Sequence, residues 1–262
     1  MKLERACARR AFISQSTVAG AVAWTAGNLK GSPKQKADLI KVGLVGCGGR
    51  GTGACSQALQ ADPGARLVAM ADVFSDRLEG SLERIKAIPA VAGKIEVPPA
   101  KRFVGFDAFD NLIDSGVDVV LLATPPHFRP AHLKKAVDAG VHVFAEKPAA
   151  VDSPGIRSVL ASCKKAKKKS LSVVSGLCLR HSLGFQELVS RLRAGAIGEL
   201  LTLQANDYRG PIWYKERQPD WTDMHYQMRN WYYHTWLSGD FNVEQHIHFL
   251  DVCSWAKGAY PI

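Results

Sequence analysis

The chain has 262 residues, and 47% of them are hydrophobic, which is enough for a substantial core and excludes an intrinsically disordered protein. Its apolar runs fall well short of the roughly 18 residues that a membrane-spanning helix needs. The net charge is +10, but residues 1–36 hold seven basic side chains and one acid, which leaves only +4 for the remainder. A second basic run, residues 164–169, is typical of the solvated end of a surface helix. Because no nucleic-acid-binding motif is present, the charge does not indicate a nucleic-acid partner.

The six cysteines contain no C-x-x-C pair. Cys47 and Cys55 fall in a predicted turn–helix unit, and Cys178 and Cys253 fall in apolar runs. The spacing fits neither a disulfide framework nor a zinc site. We therefore expect small buried hydrophobic side chains and no bound metal.

The N-terminus resembles a twin-arginine export signal. Arg9 and Arg10 are followed by Ala-Phe-Ile, and residues 18–26 form a weakly hydrophobic stretch with small side chains. Residues 27–36 have the composition of a polar linker. We predict a signal and linker over residues 1–36 and export to the bacterial periplasm. The alternative is a disordered basic N-terminus on a cytoplasmic protein.

A glycine-rich turn follows the first apolar run, residues 40–45. Three glycines in residues 46–51 have the spacing G-x-G-x-x-G. Between a strand and a helix, such glycines allow a tight turn, a close approach of the backbone to a pyrophosphate, and close packing of the helix. The helix predicted over residues 52–61 would point free N–H groups at an anion. A purely structural turn has the same spacing. The candidate cofactor-binding residues of this turn are Gly46, Gly48, Gly49, Arg50 and Gly51.

Asp72 ends a second predicted strand, residues 66–72. It lies 21 residues beyond Gly51, close to the spacing of about 20 at which an acidic residue holds the ribose hydroxyls of a dinucleotide. A carboxylate there repels a 2′-phosphate, which favours NAD over NADP, although Arg77 offers a nearby cation. The alternative role for Asp72 is a helix N-cap or a turn residue.

Strands and helices alternate along the chain from residue 39 to residue 145. After the glycine turn, apolar runs predict strands at 66–72, 118–123 and 141–145. Helical patterns cover residues 76–88, 106–115 and 130–139. Strands alternating with helices predict an α/β fold with a doubly wound parallel sheet, which we assign to residues 37–150.

The carboxyl ends of two predicted strands carry distinctive residues. One strand runs into Thr124, Pro125 and Pro126, and the next runs into Glu146 and Lys147. Parallel strands place their carboxyl ends on one edge of the sheet, which is where ligands bind. The glycine turn, the acid at the end of the second strand and these two segments are therefore predicted to converge on one site.

Three segments together resemble the Gfo/Idh/MocA family, the relatives of glucose–fructose oxidoreductase and inositol dehydrogenase. They are G-C-G-G-R-G at residues 46–51, A-T-P-P at residues 123–126, and A-G-V-H-V-F-A-E-K-P at residues 139–148. The Glu-Lys-Pro of the last segment is the most specific part, and the resemblance covers about residues 38–262. It implies a Rossmann domain that binds NAD or NADP, a sugar-like substrate and a homo-oligomer.

The resemblance also implies roles for single residues near the cofactor. Lys147 matches a lysine that lies beside the nicotinamide and the reacting carbinol in the family. Arg180 matches an arginine that is often near the cofactor. Family members often carry a histidine where this chain has Arg129, so His127 is the nearby candidate. The alternative for Glu146 and Lys147 is a surface ion pair.

A second domain is predicted over residues 151–262. It contains a helix at 154–168, a strand at 171–177 that would extend the first sheet, a helix at 183–193 and a β segment at 199–206. Members of the family have a broad second sheet that often mediates oligomerisation, and their chains continue further. Because only one clear new strand is present, we expect a truncated α+β domain that lacks part of the substrate pocket and exposes a sheet edge.

Residues 208–236 are rich in aromatic side chains, with four of the six tryptophans and five of the six tyrosines. Aromatic rings with polar tips stack on sugar faces and donate hydrogen bonds. Tyr208 and Trp231 are therefore candidate substrate-binding residues. Core packing or a subunit interface explains the same composition equally well.

Glu244, His248 and Asp251 have the spacing i, i+4 and i+7, which places them on one face of a helix. In the resembling family the pattern is D-x-x-x-H-x-x-D, and its first acid and its histidine are catalytic. This assigns catalytic roles to Glu244 and His248 and leaves Asp251 as a candidate substrate contact, although Glu is one methylene longer than Asp. Apolar residues on the adjoining face would anchor the helix in the core: Val243, Ile247 and Leu250.

The sequence leaves two alternative roles for His248. His248 would also fit a satisfied core position. A metal site shared with His246 is disfavoured, because residues 246 and 248 point about 200° apart on a helix.

Together these residues predict a NAD(P)-dependent oxidoreductase acting on a secondary hydroxyl of a sugar or cyclitol. His248 would take the hydroxyl proton, Lys147 would stabilise the developing alkoxide, and Glu244 would orient His248 or bind a neighbouring hydroxyl. Because an exported protein meets no exchangeable NAD pool, we expect a tightly held, internally recycled cofactor. The alternative is a NAD-dependent glycoside hydrolase that works by oxidation, elimination and reduction. A sugar-sensing binding module without turnover is a third hypothesis.

Overall fold

The computed structural model of this chain describes residues 39–260. The predicted export signal and linker, residues 1–36, lie outside the described residues. Within the described part, the helices are too short or too polar to cross a membrane.

Six strands form one parallel sheet. They are β1 (Ile40–Val45), β2 (Ala65–Asp72), β3 (Arg102–Val104), β4 (Val119–Leu122), β5 (His142–Ala145) and β6 (Val173–Ser175). Their order across the sheet is β3-β2-β1-β4-β5-β6, and every neighbouring pair is parallel. The predicted α/β fold with a doubly wound parallel sheet is confirmed. The strand that the sequence did not reveal is β3, because it has only three residues and its central Phe103 lies between an arginine and an exposed valine.

Helices connect the strands and continue beyond them. They are α1 (Gly49–Ala61), α2 (Ser75–Lys86), α3 (Ala108–Asp114), α4 (Arg129–Asp138), α5 (Ser153–Lys168), α6 (Leu183–Arg193), α7 (Asp223–Arg229), α8 (Thr235–Ser238) and α9 (Ile247–Lys257). The first helix begins at Gly49, three residues before the predicted start, because the low helix propensity of glycine conceals its first turn.

Helices cover both faces of the sheet, and each face has its own apolar core. On one face, α1 and α2 pack on the strands in a core that includes Leu44, Leu59 and Leu82. On the other face, α3 and α4 form a core that includes Leu112 and Leu122. Full burial of one such leucine is worth about 1.5–3 kcal/mol, so these two layers supply most of the hydrophobic stabilisation of the described chain.

The sheet extends further along the chain than the predicted first domain. β6 pairs with β5, and Ala166 of α5 is buried in the same core as residues of α4. The strand predicted at 171–177 therefore does extend the first sheet. The proposed boundary between residues 150 and 151 falls inside this packing, because α5 and β6 complete the sheet that begins with β1.

Residues 200–218 form neither helix nor strand. The β segment predicted at 199–206 is therefore wrong. Its apolar side chains have no neighbouring strand to pack on, and Leu201 is 86% exposed. The six strands named above form the only sheet within residues 39–260.

The helix that carries the predicted catalytic residues contains a π-helical turn, Asn242–His246, which leads directly into α9. A π turn has i→i+5 hydrogen bonds and therefore changes the direction in which later side chains point. The predicted apolar anchor is wrong for this reason: Leu250 is 55% exposed, and Val243 and Ile247 are only partly buried. The side chain that faces inward is Glu244, which is 5% exposed.

The described cysteines are all free thiols, but they differ in burial. Cys47 and Cys55 are buried, as predicted. Cys178 is exposed and Cys253 is only partly buried, so the expectation of burial is wrong for these two. Cys178 begins a short 3₁₀ turn after β6, and this turn lies outside both apolar cores.

Candidate functional site: a cofactor cavity and a Lys–Glu–His cluster

Gly46 and Gly51 bring the turn between β1 and α1 into close contact with its surroundings. Gly46 has φ +90°, and a Cβ atom there would lie 2.6 Å from the carbonyl carbon of Ala123. A Cβ atom at Gly51 would overlap the main-chain oxygen of Gly46. A larger residue at either position would therefore displace the backbone of the turn.

Gly48 and Gly49 face open space instead. A Cβ atom at either position would have no neighbouring atom within 4 Å. Both glycines line a cavity of about 500 Å³. The predicted cofactor-binding residues that line this cavity are Gly46, Gly48, Gly49, Arg50, Gly51, Asp72, Thr124 and Pro125.

Asp72 forms the cavity wall at the end of β2. Its Oδ2 accepts a hydrogen bond from the Cys47 N–H at 2.6 Å, and its Oδ1 accepts one from the Phe74 N–H at 2.9 Å. The pKa of the Asp72 carboxyl group is raised overall, because the effect of burial outweighs the lowering by the two N–H donors. The carboxylate therefore ties the glycine turn to the end of β2 while it remains part of the cavity surface.

The cavity fits a dinucleotide cofactor. The wall made by Gly48 and Gly49 carries no side chains, so a pyrophosphate can approach the backbone N–H groups at the start of α1. Asp72, at the end of the next strand, is placed to accept hydrogen bonds from ribose hydroxyls.

Glu146 connects the cavity to the end of β5. Its Oε1 lies 3.2 Å from Nε of Arg50, which lines the cavity. The Glu146 side chain is mostly buried, and a Cβ atom at Gly176 would lie 2.7 Å from its Oε2. This ion pair joins the glycine turn to the segment that carries Lys147.

Lys147 and Glu244 form a buried ion pair between residues 97 positions apart in the sequence. Lys147 Nζ lies 2.6 Å from Glu244 Oε1 and also donates to the main-chain carbonyl of Glu244. The pKa of the Glu244 carboxyl group is raised overall, because the effect of burial outweighs the lowering by Lys147. The second oxygen, Glu244 Oε2, is buried without a hydrogen-bond partner among the described residues. A buried acceptor that lacks a protein donor is uncommon and marks Glu244 as a candidate functional group.

His248 follows Glu244 by four residues. Burial lowers the pKa of its imidazole, and the positive charges of Lys147 and Arg209 lower it further. The imidazole is therefore neutral at neutral pH. Its Nδ1 is buried and has no partner among the described residues, so a neutral His248 can accept or donate one proton there, depending on its tautomer.

Arg129 was left without a role by the sequence, and the structure gives it a positioning role. Its side chain is buried, donates to the Pro148 carbonyl at 2.6 Å and also donates to the Thr124 carbonyl. Burial lowers the pKa of Arg129 to about 10, so the guanidinium stays charged at neutral pH. Arg129 thus joins the loops that follow β4 and β5. Sequence spacing gives no sign of this contact, because both acceptors are main-chain atoms.

Glu146, Lys147, Glu244 and His248 do not themselves line the cavity, and further predicted site residues also lie away from its surface. Arg180 forms a two-pronged ion pair with Asp251, with N–O distances of 2.7 and 2.8 Å, and neither lines the cavity. Tyr208 is 92% exposed and does not line it either. His127 packs edge-on against Trp236 with ring centroids 5.1 Å apart.

One further candidate residue for the cofactor lies outside the cavity lining, and one candidate residue for the substrate lies within it. Pro126, a candidate for the cofactor, is buried beside the cavity-lining Pro125 but does not itself line the cavity. Trp231, a candidate for the substrate, does line it, together with Trp213.

Comparison with known proteins assigns the family. Residues 40–175, more than half of the chain, match the family model described as "Oxidoreductase family, NAD-binding Rossmann fold", the Gfo/Idh/MocA family. The chain belongs to this family. The matched range begins at β1 and ends at β6, so it covers the whole sheet.

Relatives within this family include sugar and cyclitol enzymes. "Inositol 2-dehydrogenase 1" of Saccharopolyspora erythraea is 32% identical over 160 residues, which cover 61% of this chain and 43% of the relative. "Glycosyl hydrolase family 109 protein 1" of Bacteroides fragilis is 27% identical over 168 residues, which cover 63% of this chain and 34% of the relative.

Among solved structures, apo scyllo-inositol dehydrogenase from Lactobacillus casei matches 85% of this chain and 56% of its own chain. The TM-score is 0.58 and the identity is 20%, which shows a shared fold. The chain spans about half the length of the relatives it matches.

Proposed function

We propose that this chain is a NAD(P)-dependent oxidoreductase that acts on a secondary hydroxyl group of a sugar or cyclitol. The observation that carries the proposal is the buried Lys147–Glu244 pair with the neutral His248 beside it, connected through Glu146 and Arg50 to the dinucleotide cavity. Family membership and the inositol dehydrogenase relatives support the same reaction class.

The bound nicotinamide supplies the hydride acceptor, and the protein supplies charge and proton transfer. Lys147 stabilises the alkoxide that develops as the hydroxyl loses its proton. His248, which is neutral, accepts that proton. Glu244 holds the ammonium of Lys147 in place and offers Oε2 to a neighbouring hydroxyl group, which would select substrates with adjacent hydroxyls.

A substrate screen tests this proposal. Cyclitols and sugars are incubated with the 262-residue chain and NAD⁺ or NADP⁺, and formation of the reduced nicotinamide is followed by its absorbance. We expect reduction with a polyol that carries adjacent hydroxyls, and none with the matching deoxy compound. If the protein binds the cofactor but reduces it with no member of the panel, the proposed reaction is wrong.

For the cofactor we propose a preference for NAD over NADP. Asp72 lines the cavity with a carboxylate that would repel a 2′-phosphate, whereas Arg77, also in the wall, would attract one. Replacing Asp72 by Asn should narrow the difference between the NAD⁺ and NADP⁺ dissociation constants. Unchanged constants for both nucleotides would contradict the proposal.

A second candidate is a glycoside hydrolase with an internally recycled cofactor. The similarity to a glycosyl hydrolase family 109 protein favours it, although that match is weaker than the match to inositol 2-dehydrogenase. Release of the aglycone from a chromogenic glycoside, without accumulation of NADH, would support this candidate. Net reduction of added NAD⁺ by a free polyol would support the dehydrogenase.

Export and self-association are further proposals. Residues 1–36, with Arg9 and Arg10, would direct export by the twin-arginine route. A reporter fused to these residues should reach the periplasm, and the fusion with both arginines changed to lysine should not. We also propose that the full-length protein forms a homo-oligomer, on the basis of family membership. Light scattering that gives the mass of one chain would contradict it.

A further inference from the structure

The cofactor cavity is completed by a stretch of chain far from the glycine turn in sequence. Trp213, Lys215, Met228, Arg229 and Trp231 line the same cavity as Gly48 and Asp72. We call residues 213–231 the strap. The sequence suggested sugar binding, core packing or a subunit interface for this aromatic stretch, and in the structure part of it forms a wall of this cavity.

Arg229 fastens the strap to the start of α2. Its Nη1 and Nη2 donate to Asp76 Oδ2 and Oδ1 at 2.8 and 2.7 Å, in the paired geometry that suits guanidinium and carboxylate. The guanidinium carbon also lies 3.7 Å from the ring centroid of Phe74. The Arg229 side chain is only 14% exposed, whereas that of Asp76 is 63% exposed, so solvent partly screens this ion pair.

The strap is also fixed internally. Asn230 is buried, its Oδ1 accepts from the Lys215 N–H at 2.8 Å, and its Nδ2 donates to the Lys215 carbonyl at 2.9 Å. His225 packs between Phe74 and Trp221, with ring centroids 4.8 and 4.6 Å away. Hydrogen bonds therefore join the two ends of the strap, and the Arg229–Asp76 pair links them to α2.

The position of the strap relates it to one end of the cofactor. In a Rossmann fold the acid at the end of the second strand contacts the ribose of the adenosine half. Phe74 follows that acid, Asp72, by two residues and supports Arg229 of the strap. Lys215 adds a positive charge to the cavity wall and forms no ion pair with the described residues.

We propose that the strap is part of the cofactor-binding site, that it covers the adenosine half of the dinucleotide, and that the Arg229–Asp76 pair slows release of the cofactor. The proposal rests on the proposed function only in requiring that a nicotinamide dinucleotide occupies this cavity. It gives a structural basis for a cofactor that is retained between turnovers.

Measurement of cofactor release tests the proposal. NADH is bound to the 262-residue chain, an excess of NAD⁺ is added, and loss of bound-NADH fluorescence gives the dissociation rate. Asp76→Asn and Arg229→Met should each raise this rate about two- to fivefold, because loss of a charge pair that solvent partly screens acts mainly on dissociation. The matched control is Arg191→Met, which removes an arginine 2.7 Å from Glu187 on α6, outside the cavity. It should release NADH at the wild-type rate.

Limited proteolysis gives a second readout that does not depend on the release rates. Bound NADH should protect the strap from trypsin cleavage at Lys215 and Arg217, and Asp76→Asn should weaken that protection. Equal release rates in wild type and both variants, or equal cleavage with and without NADH, would overturn the role of the strap. A wild-type chain that binds neither NADH nor NADPH would overturn the proposed function as well, so the two failures are distinguishable.

Discussion

The two regions of the described chain are stabilised in different ways. Residues 39–175 form the sheet and its two apolar cores. In residues 176–260 the buried hydrophobic residues are only Val189, Met228, Leu237 and Ala256. The first region is therefore stabilised mainly by apolar burial, and the second depends much more on polar contacts.

Ion pairs and aromatic contacts, such as Phe74 with His225 and His127 with Trp236, join the two regions at the site. Lys147 pairs with Glu244, and Asp76 pairs with Arg229. Each contact brings a residue of the second region to a strand end or helix start of the first. The sheet therefore provides a rigid edge, and a small number of charged and aromatic contacts position the catalytic and covering side chains on it.

The largest effect is expected when the contact at the reaction site is removed. Lys147→Met and His248→Asn should each reduce turnover roughly 10²–10⁴-fold, because alkoxide stabilisation or proton transfer is lost. Steady-state kinetics with the substrate found in the screen measures this. The control is Lys165→Met. It removes a surface lysine of α5 that pairs with Asp138 of α4, and it should keep wild-type turnover. Wild-type turnover in either site variant would refute the assignment.

A matched pair of leucines tests the difference in stabilisation directly. Leu59 of the first region is fully buried, and Leu250 of the second is 55% exposed. Leu59→Ala should lower the free energy of unfolding by roughly 2–5 kcal/mol, because it leaves a cavity in the core. Leu250→Ala should change it by less than about 0.5 kcal/mol. Denaturant unfolding measures both, and equal losses would show that α9 packs as tightly as the sheet.

Removal of Arg129 should have an intermediate effect. Arg129→Met leaves the buried carbonyls of Thr124 and Pro148 without this donor, which should cost roughly 1–3 kcal/mol of unfolding free energy. KM for the cofactor should also rise, because Thr124 lines the cavity. Arg129→Lys retains the charge and one donor, so it should recover part of the loss. An unchanged cofactor KM in Arg129→Met would contradict the positioning role.

The last expected effect is a dependence of kcat/KM on pH. Burial and Lys147 lower the pKa of His248 below its ordinary value of 6.5, so the neutral form that accepts a proton is present at neutral pH. As pH falls through this lowered pKa, the imidazolium forms and kcat/KM should drop about tenfold per unit. In His248→Asn the residual activity should lack this acidic limb. An inflection above 6.5 would show that another group is titrating.

The parts of the fold that were predictable are those with local signals. β1, β2, β4 and β5 are predominantly apolar runs, and the glycine turn between β1 and α1 has a recognisable spacing. The three-residue β3 carries too little pattern to be recognised, and the apparent alternation at 199–206 was not matched by a partner strand.

The site was predictable only in its parts. Lys147, Glu244 and His248 were named from a motif, but the contact between Lys147 and Glu244 joins residues 97 positions apart. The π turn at Asn242–His246 changes side-chain directions through backbone hydrogen bonds that no residue pattern marks. Arg129 and the strap act through main-chain acceptors and distant contacts, for which spacing carries no information.

The unequal burial of the cysteines has a practical consequence for chemical labelling. The Cys47 thiol donates to the Ala71 carbonyl within the nucleotide turn, and burial raises its pKa well above the ordinary value. Burial likewise raises the pKa of Cys55 to about 12. Both remain protonated and poorly nucleophilic at neutral pH, while Cys178 is exposed to solvent. Among the described thiols, a maleimide dye would therefore react preferentially at Cys178, close to the pair of Arg180 and Asp251, and leave the glycine turn intact.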